Sequence, residues 1–300
     1  MKPGTFVSVD QLESPLQGFI GQLKGILTRQ RVRAATVFID HHSDFTYMHV
    51  HQSTTSRETI EAKESFEDLA EKNQIKILHY HCDNGRFADN MFKHHCTKQG
   101  QTFTYSAVSA HHQNGKAEKR IRDIQDSSRT MLLHAEARWP RAILRNLWPY
   151  ALREAVSIRN ITPRMDNSTT PQEMFTGIRT TANMNHQHVF GCPIYAATSQ
   201  VANGFKAPKW ETRSRLGINL GFSPCHANNV YLVLNPITGL VSPQFHVKHD
   251  DSFITVEGED SSNSVSQTWQ ILAGFRGSKN SSFWPTNSIR HTEKKSPRTT

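Results

Sequence analysis

The chain has little that would hold it together from outside. Its 300 residues include only four cysteines, Cys82, Cys96, Cys192 and Cys225, widely spaced and with no Cys-x-x-Cys pair. That argues against a disulfide framework or a zinc ribbon and fits reduced thiols. No apolar run approaches the roughly 18 residues of a membrane span. Met1-Lys2 is not followed by the apolar stretch of a secretory signal. These absences predict a soluble intracellular protein with no membrane partner. Apolar residues are scarce as well, at 36% of the chain, which predicts long loops or a polar tail. Acids are outnumbered, 26 Asp and Glu against 35 Lys and Arg, for a formal net charge of +9. An excess of that size favours polyanionic partners, nucleic acid first. The length suits about two domains.

Alternation and turn chemistry divide what is there. Residues 5–10 read as a strand, and 32–39 and 45–51 as two more, joined across Asp40-His41-His42-Ser43-Asp44. Residues 56–73 set Ile60, Phe66 and Leu69 among charges, the pattern of an amphipathic helix. A strand running to Asp83, a helix near 88–99, a strand at 101–105 and a helix from Asn114-Gly115 to about 135 follow. This is the order of an RNase H-like fold, a mixed five-stranded sheet with flanking helices whose first and fourth strands lie side by side. Another helix is predicted over 140–160, with a wide apolar face and a stop at Pro163. From 188 to about 256, short β runs between Gly and Pro predict a small antiparallel barrel. From Glu257 the Ser-, Asn- and Thr-rich chain predicts a flexible basic tail, where Trp269 and Phe275 read as stray apolar residues more simply than as a docking segment. The expected domains are therefore 1–136, a catalytic core; 137–185, a helical extension; 186–256, the β domain; and 257–300, the tail.

Two acids stand out against this frame. Asp83 ends the alternating run 75–81 and enters an Asn-Gly turn, and Glu118 lies in the first turn of the helix opened by Asn114-Gly115, with 34 residues between them. A strand end and a helix start can converge. A third acid, Asp10, ends the run Phe6-Val7-Ser8-Val9. Three converging carboxylates suit a two-metal site for phosphoryl transfer, since Mg²⁺ takes hard oxygens and needs only one or two carboxylates per ion. Asp40 also ends a strong strand, and pattern alone does not separate it from Asp10, although turn chemistry with Asp44 accounts for it.

These segments resemble a known family. VSVDQLESP, ATVFIDHHSDFTYMHV, HYHCDNGRF, HHQNGKAEKRIRD and LWPYALREA follow one another as in integrases of copia-type long-terminal-repeat retrotransposons. HVFGCPIY, APKWETRSRLGINLGFSP and LNPITGLVSPQFHV resemble the SH3-like region that follows the core in those polyproteins, so the resemblance runs from about residue 5 to 256. It implies an RNase H-like core, a helical extension and a small SH3-like β-barrel. It also implies a catalytic and metal-binding set of Asp10, Asp83 and Glu118 holding two Mg²⁺ or Mn²⁺ ions. The implied activity is DNA integration, with 3′-end processing and strand transfer. The implied partners are element ends, target DNA and further copies of the chain, in a nucleus or a cytoplasmic particle. Two departures stand: Ala110-His111-His112-Gln113 lacks the proline usual before Asn-Gly, and the family's His/Cys zinc module has no counterpart before residue 5.

Arg122, Gln125 and Arg129 follow Glu118 at i+4, i+7 and i+11 and share its face. Arg122 and Arg129, with Asn114, Lys116 and Lys119, are the expected DNA-binding residues. Two further basic clusters, Lys24/Arg29/Arg31/Arg33 and Lys206/Lys209/Arg213/Arg215, fit DNA contact and ordinary surface charge equally. The paired histidines lack the cysteine partners of a structural zinc site. Two alternatives remain: a catalytically inactive DNA-binding remnant of a retroelement polyprotein, and a hydrolase of RNA–DNA hybrids.

Overall fold

The structure is a computed structural model that describes residues 2–22, 26–83, 86–107, 114–163, 168–179, 186–206, 208–227, 229–257 and 267–275. It opens with three strands, β1 (Val7–Phe19), β2 (Arg31–Asp40) and β3 (Thr46–His51), followed by helix α1 (Ser56–Lys72). Then come β4 (His79–Cys82), α2 (Asn90–Lys98), β5 (Thr102–Tyr105) and the long helix α3 (Gly115–Arg138). These strands form one mixed sheet in the order β3-β2-β1-β4-β5, with β2 antiparallel to β1 and β4 parallel to it. The first and fourth strands are neighbours, as the RNase H-like reading expects.

Local chemistry places the ends. The Thr55 hydroxyl accepts from the Glu58 amide at the start of α1, and the Asp89 carboxylate accepts from the Met91 amide at the start of α2. Strand β1 is longer than the sequence suggests. A register shift between Glu13 and Gly18 absorbs Pro15, and pairing resumes as far as Phe19 opposite Arg31. Proline is tolerated in a strand at such an irregularity, where no ladder hydrogen bond is asked of it.

The two-residue period of the strands gives the sheet two buried faces. Val7, Val9, Phe38, Tyr80 and Cys82 pack with Ala62 and Phe66 of α1 and Phe92 of α2. Leu12, Val37 and Ile39 pack with Ala117, Ile124 and Leu132 of α3.

Past α3, a 3₁₀ turn leads into α4 (Trp148–Ile161), which stops two residues before Pro163, and α5 (Pro171–Thr176) follows. The remaining elements are β6 (Pro193–Ala197), α6 (Ser199–Ala202), β7 (Ser214–Phe222), β8 (Tyr231–Leu234), β9 (Val241–Gln244), β10 (Val247–His249) and α7 (Thr268–Leu272). Their strands make an antiparallel sheet in the order β10-β6-β7-β8-β9. Only Phe245 and His246 separate β9 from β10, so the two edges come within about 10 Å at that end. A small closed barrel was expected here. Among the described residues, however, no pairing joins the edges, and the sheet stays open.

One apolar cluster runs through both sheets, taking in Leu12, Ile124, Trp139, Ala151, Ile218 and Trp269. Trp269 corrects the expectation for the tail. It is fully buried and donates from its indole to the Ala142 carbonyl at 2.9 Å. Arg31 donates to the Ala273 carbonyl and lies over the Phe275 ring at 4.6 Å. Arg31 is thus engaged with the chain's own C-terminal segment. The rest of the expected tail, apart from Glu257 and 267–275, lies outside the described residues, as does Lys24.

Candidate active site

Register sets the first two acids. Val9 pairs with Cys82 in the parallel β1–β4 ladder, so Asp10 and Asp83 come next in line on neighbouring strands, where backbones run about 5 Å apart. Both charges reach the buried Cys82 thiol. Its pKa is pushed well above the usual value by burial first, then by Cys96, Asp10 and Asp83. The Asp10 carboxylate accepts from the Gln11 amide at 2.7 Å.

Glu118 arrives on α3. The N-terminus of that helix is tied to β1 by Asn114, whose side-chain amide donates to the Val9 carbonyl at 3.1 Å, one residue from Asp10. Asp10, Glu118, Arg122, Gln125 and Arg129 then line one open groove of about 420 Å³. The helical spacing read from the sequence is the spacing that faces this groove. Asp10 and Glu118 share it, and Asp83 sits at the adjacent strand end. Among the described residues, no group of three or more His, Cys, Asp or Glu side chains is assembled closely enough to hold an ion.

The expected DNA-binding residues divide. Lys119 and Arg122 are exposed. Arg129 is part-exposed and paired with Asp126 at 3.0 Å. Asn114 needs correcting, because it is 1% exposed and serves as the tie to β1 instead of facing solvent. Lys116 is likewise engaged, with its ammonium 3.1 Å from Asp44.

Asp44 is the hub of a network that sequence reasoning missed. Arg120 reaches its carboxylate at 2.7 Å and its carbonyl at 3.0 Å, and also bonds the Thr46 hydroxyl. Burial alone would raise the pKa of Asp44, but Arg120 and Lys116 hold it below the usual carboxylate range. Asp40 is fully buried and accepts from the amides of Gly4 and Ser43, each at 2.8 Å, and from the Ser43 hydroxyl at 2.6 Å. Its oxygens are used in building the turn. His41, bonded to the Ser8 hydroxyl at 2.8 Å, is pushed down to about 4 by burial and then by Lys116. Residues 108–113, with His111 and His112, lie outside the described residues.

No known family's sequence model matches the chain. Several retroviral integrase structures are similar in shape. The catalytic core of HTLV-2 integrase in complex with magnesium, in a trimeric form, is 18% identical; the match covers 58% of this chain and 98% of that one, with a TM-score of 0.43. The intasome of simian T-cell lymphotropic virus with PP2A regulatory subunit B56 gamma gives 16% identity, 83% and 79% coverage and a TM-score of 0.44. The core of BIV integrase gives 16%, 61% and 99%, with 0.40. Likeness this distant carries no argument for the fold or the function.

The donor chemistry fits a hard divalent cation. Carboxylate oxygens border an open groove, and Mg²⁺ keeps several waters, so it needs no closed protein cage. The Asn114 side-chain oxygen is buried beside the site with no hydrogen-bond partner among the described residues.

Proposed function

We propose that the chain is an integrase of the copia-type retroelement class, carrying out divalent-metal-dependent phosphoryl transfer on DNA. One observation carries this reading: the parallel β1–β4 register brings Asp10 and Asp83 side by side, while Asp10 shares its groove with Glu118 and the basic face of α3. Asp10 and Asp83 would share the metal and Glu118 would complete its shell. When bound, Mg²⁺ or Mn²⁺ supplies charge stabilisation for the attacking and leaving oxygens of an in-line displacement.

The chain's own residues do the rest. Arg122, exposed one turn from Glu118, offers a bidentate donor to a phosphate, and Lys119 offers a point charge. Arg129 extends the same face once it releases Asp126. Asn114 keeps the start of α3 against β1, which holds Glu118 at Asp10. Water attack near each element end, followed by attack of the freed 3′-hydroxyl on target DNA, needs no covalent protein intermediate. Assembly of several copies around two DNA ends belongs to the same proposal.

The test is strand transfer by the purified chain with Mn²⁺ and duplexes bearing the element's terminal sequence. Joined products are expected, and Asp83→Asn should abolish them while DNA binding persists. The inactive-remnant reading has one observation in its favour, the lack of a three-donor group among the described residues. Salt-sensitive binding with no joining or nicking would decide for it.

A further inference from the structure

Strands β6 and β7 pair out to Ala197 opposite Ser214, and the Thr198 amide closes the base on the Arg213 carbonyl at 3.0 Å. Residues 198–213 are thus an excursion from one end of the second sheet. It has definite local structure: α6, a turn at Gly204 with φ +83°, and a second turn in which the Glu211 amide bonds the Pro208 carbonyl at 3.2 Å. Every described residue from 202 to 214 is exposed. Among them are two large rings, Phe205 at 68% exposure and Trp210 at 90%. Lys206, Lys209 and Arg213 accompany them with a single acid, Glu211, and Arg215 follows on β7. Among the described residues none of these four cations enters an ion pair, and the Lys209 ammonium lies 5.1 Å from the centre of the Trp210 ring.

A lone exposed apolar residue is ordinary. A tryptophan at the tip of a built turn, 90% exposed with the Lys209 ammonium over its ring and cations on both sides in sequence, is matched to a ligand that combines flat aromatic surfaces with regularly spaced negative charge. Unpaired nucleotides have both features, since any base can stack on an indole whatever the sequence and the flanking phosphates meet the cations. In a duplex those base faces are already covered by neighbouring pairs.

We propose that this excursion is a contact for single-stranded nucleic acid, with an unpaired base stacked on Trp210 and adjacent phosphates held by Lys206, Lys209 and Arg213. The identity of the strand as DNA rests on the integrase reading; the stacking chemistry does not. The surface lies on the second sheet and is separate from the groove of Asp10 and Glu118.

The experiment measures binding of the full chain to a labelled duplex with a short single-stranded overhang and to its blunt counterpart, by fluorescence anisotropy over a range of salt. Trp210→Ala should weaken overhang binding about tenfold and leave blunt binding within about twofold. Its thermal unfolding should match wild type, because the side chain buries nothing. Replacing Lys206, Lys209 and Arg213 by Gln together should reduce the log–log salt slope for the overhang by about two. Equal affinity of Trp210→Ala and wild type for the overhang overturns the proposal, and so does an equal loss on both DNAs. Loss of binding to phosphatidylserine vesicles with unchanged overhang binding would overturn it in favour of a membrane contact. Asp83→Asn keeps the two readings apart: it should retain the overhang preference, while joining that survives in it refutes the integrase reading and leaves the Trp210 result standing.

Discussion

Arg120 shows what a one-dimensional reading discards. It lies two residues past Glu118 among other cations, and the sequence offers no reason to bury it, yet it is 4% exposed. Its partner Asp44 has φ +65° at the turn between β2 and β3, so the pair fixes α3 to that hairpin. Removing one member of a buried pair strands the other charge. Arg120→Met should therefore cost about 3 kcal/mol in urea unfolding, with Lys116 and Arg159 partly compensating; a loss below about 1 kcal/mol would mean the pair is dispensable. The groove cations behave differently. Arg122→Gln should lower the log–log salt slope of DNA binding by about one. Arg129→Gln should lower it by less, because that guanidinium already has Asp126. Equal effects would show that the Asp126 pair does not compete with phosphate. Asp83 and Glu118 could be singled out in the sequence because one follows the end of β4 and the other lies in the first turn of α3, whereas Asp10, the fourth residue of the 13-residue β1, is interior to its strand and pattern alone did not separate it from Asp40. The burial of Arg120 was not legible, because its partner Asp44 comes from packing; Lys63 and Glu67, 2.8 Å apart at i and i+4 on α1, have the spacing of a helix pair, but the sequence does not show that Lys63 is enclosed.

Elements were legible where a single period ran without interruption. The alternation before Asp83 and the apolar spacing of α1 correspond to observed elements within a few residues. Strand β1 was read too short because Ser14 and Pro15 imitate a loop, and the register shift that carries the strand past them depends on β2. The tail failed for a related reason. Helix α7 has five residues, too few to show an apolar period, and its burial comes from a pocket built by Phe19 and the segment after α3. The ring centroids of Trp269 and Phe19 lie 5.0 Å apart, and the Gln270 amide donates to the Arg141 carbonyl at 2.7 Å. Trp269→Ala should then cost about 4 kcal/mol, and truncation after Glu257 should lower the unfolding midpoint by several degrees. An unchanged midpoint would return the segment to the status of a loose tail.

At the scale of the molecule, the two sheets share one apolar cluster, and Glu154 stands at their junction. It lies on α4, 4% exposed, and accepts from the Phe222 amide of β7 at 3.3 Å. The neighbouring Gly221 has φ +86°, and a side chain there would meet the Glu154 carboxylate. Burial raises this carboxyl from 4.5 to about 7. The folded chain therefore holds the proton to a higher pH than the unfolded chain does. The associated stability is complete below about pH 4.5 and is lost as pH rises to about 7, a change of about 3 kcal/mol. His41 and His249, both lowered to about 4, act in the opposite sense and withdraw stability as pH falls from about 6.5. The measured curve for the wild type is thus a sum of opposing slopes, and only a difference isolates the junction. Glu154→Gln keeps the shape and the acceptor for Phe222 but cannot ionise. Its unfolding free energy minus that of wild type should rise by about 3 kcal/mol between pH 5 and pH 8 and then level off. A difference that stays flat across that range would mean that Glu154 is ionised in the folded protein, with water or a cation reaching the seam between the sheets.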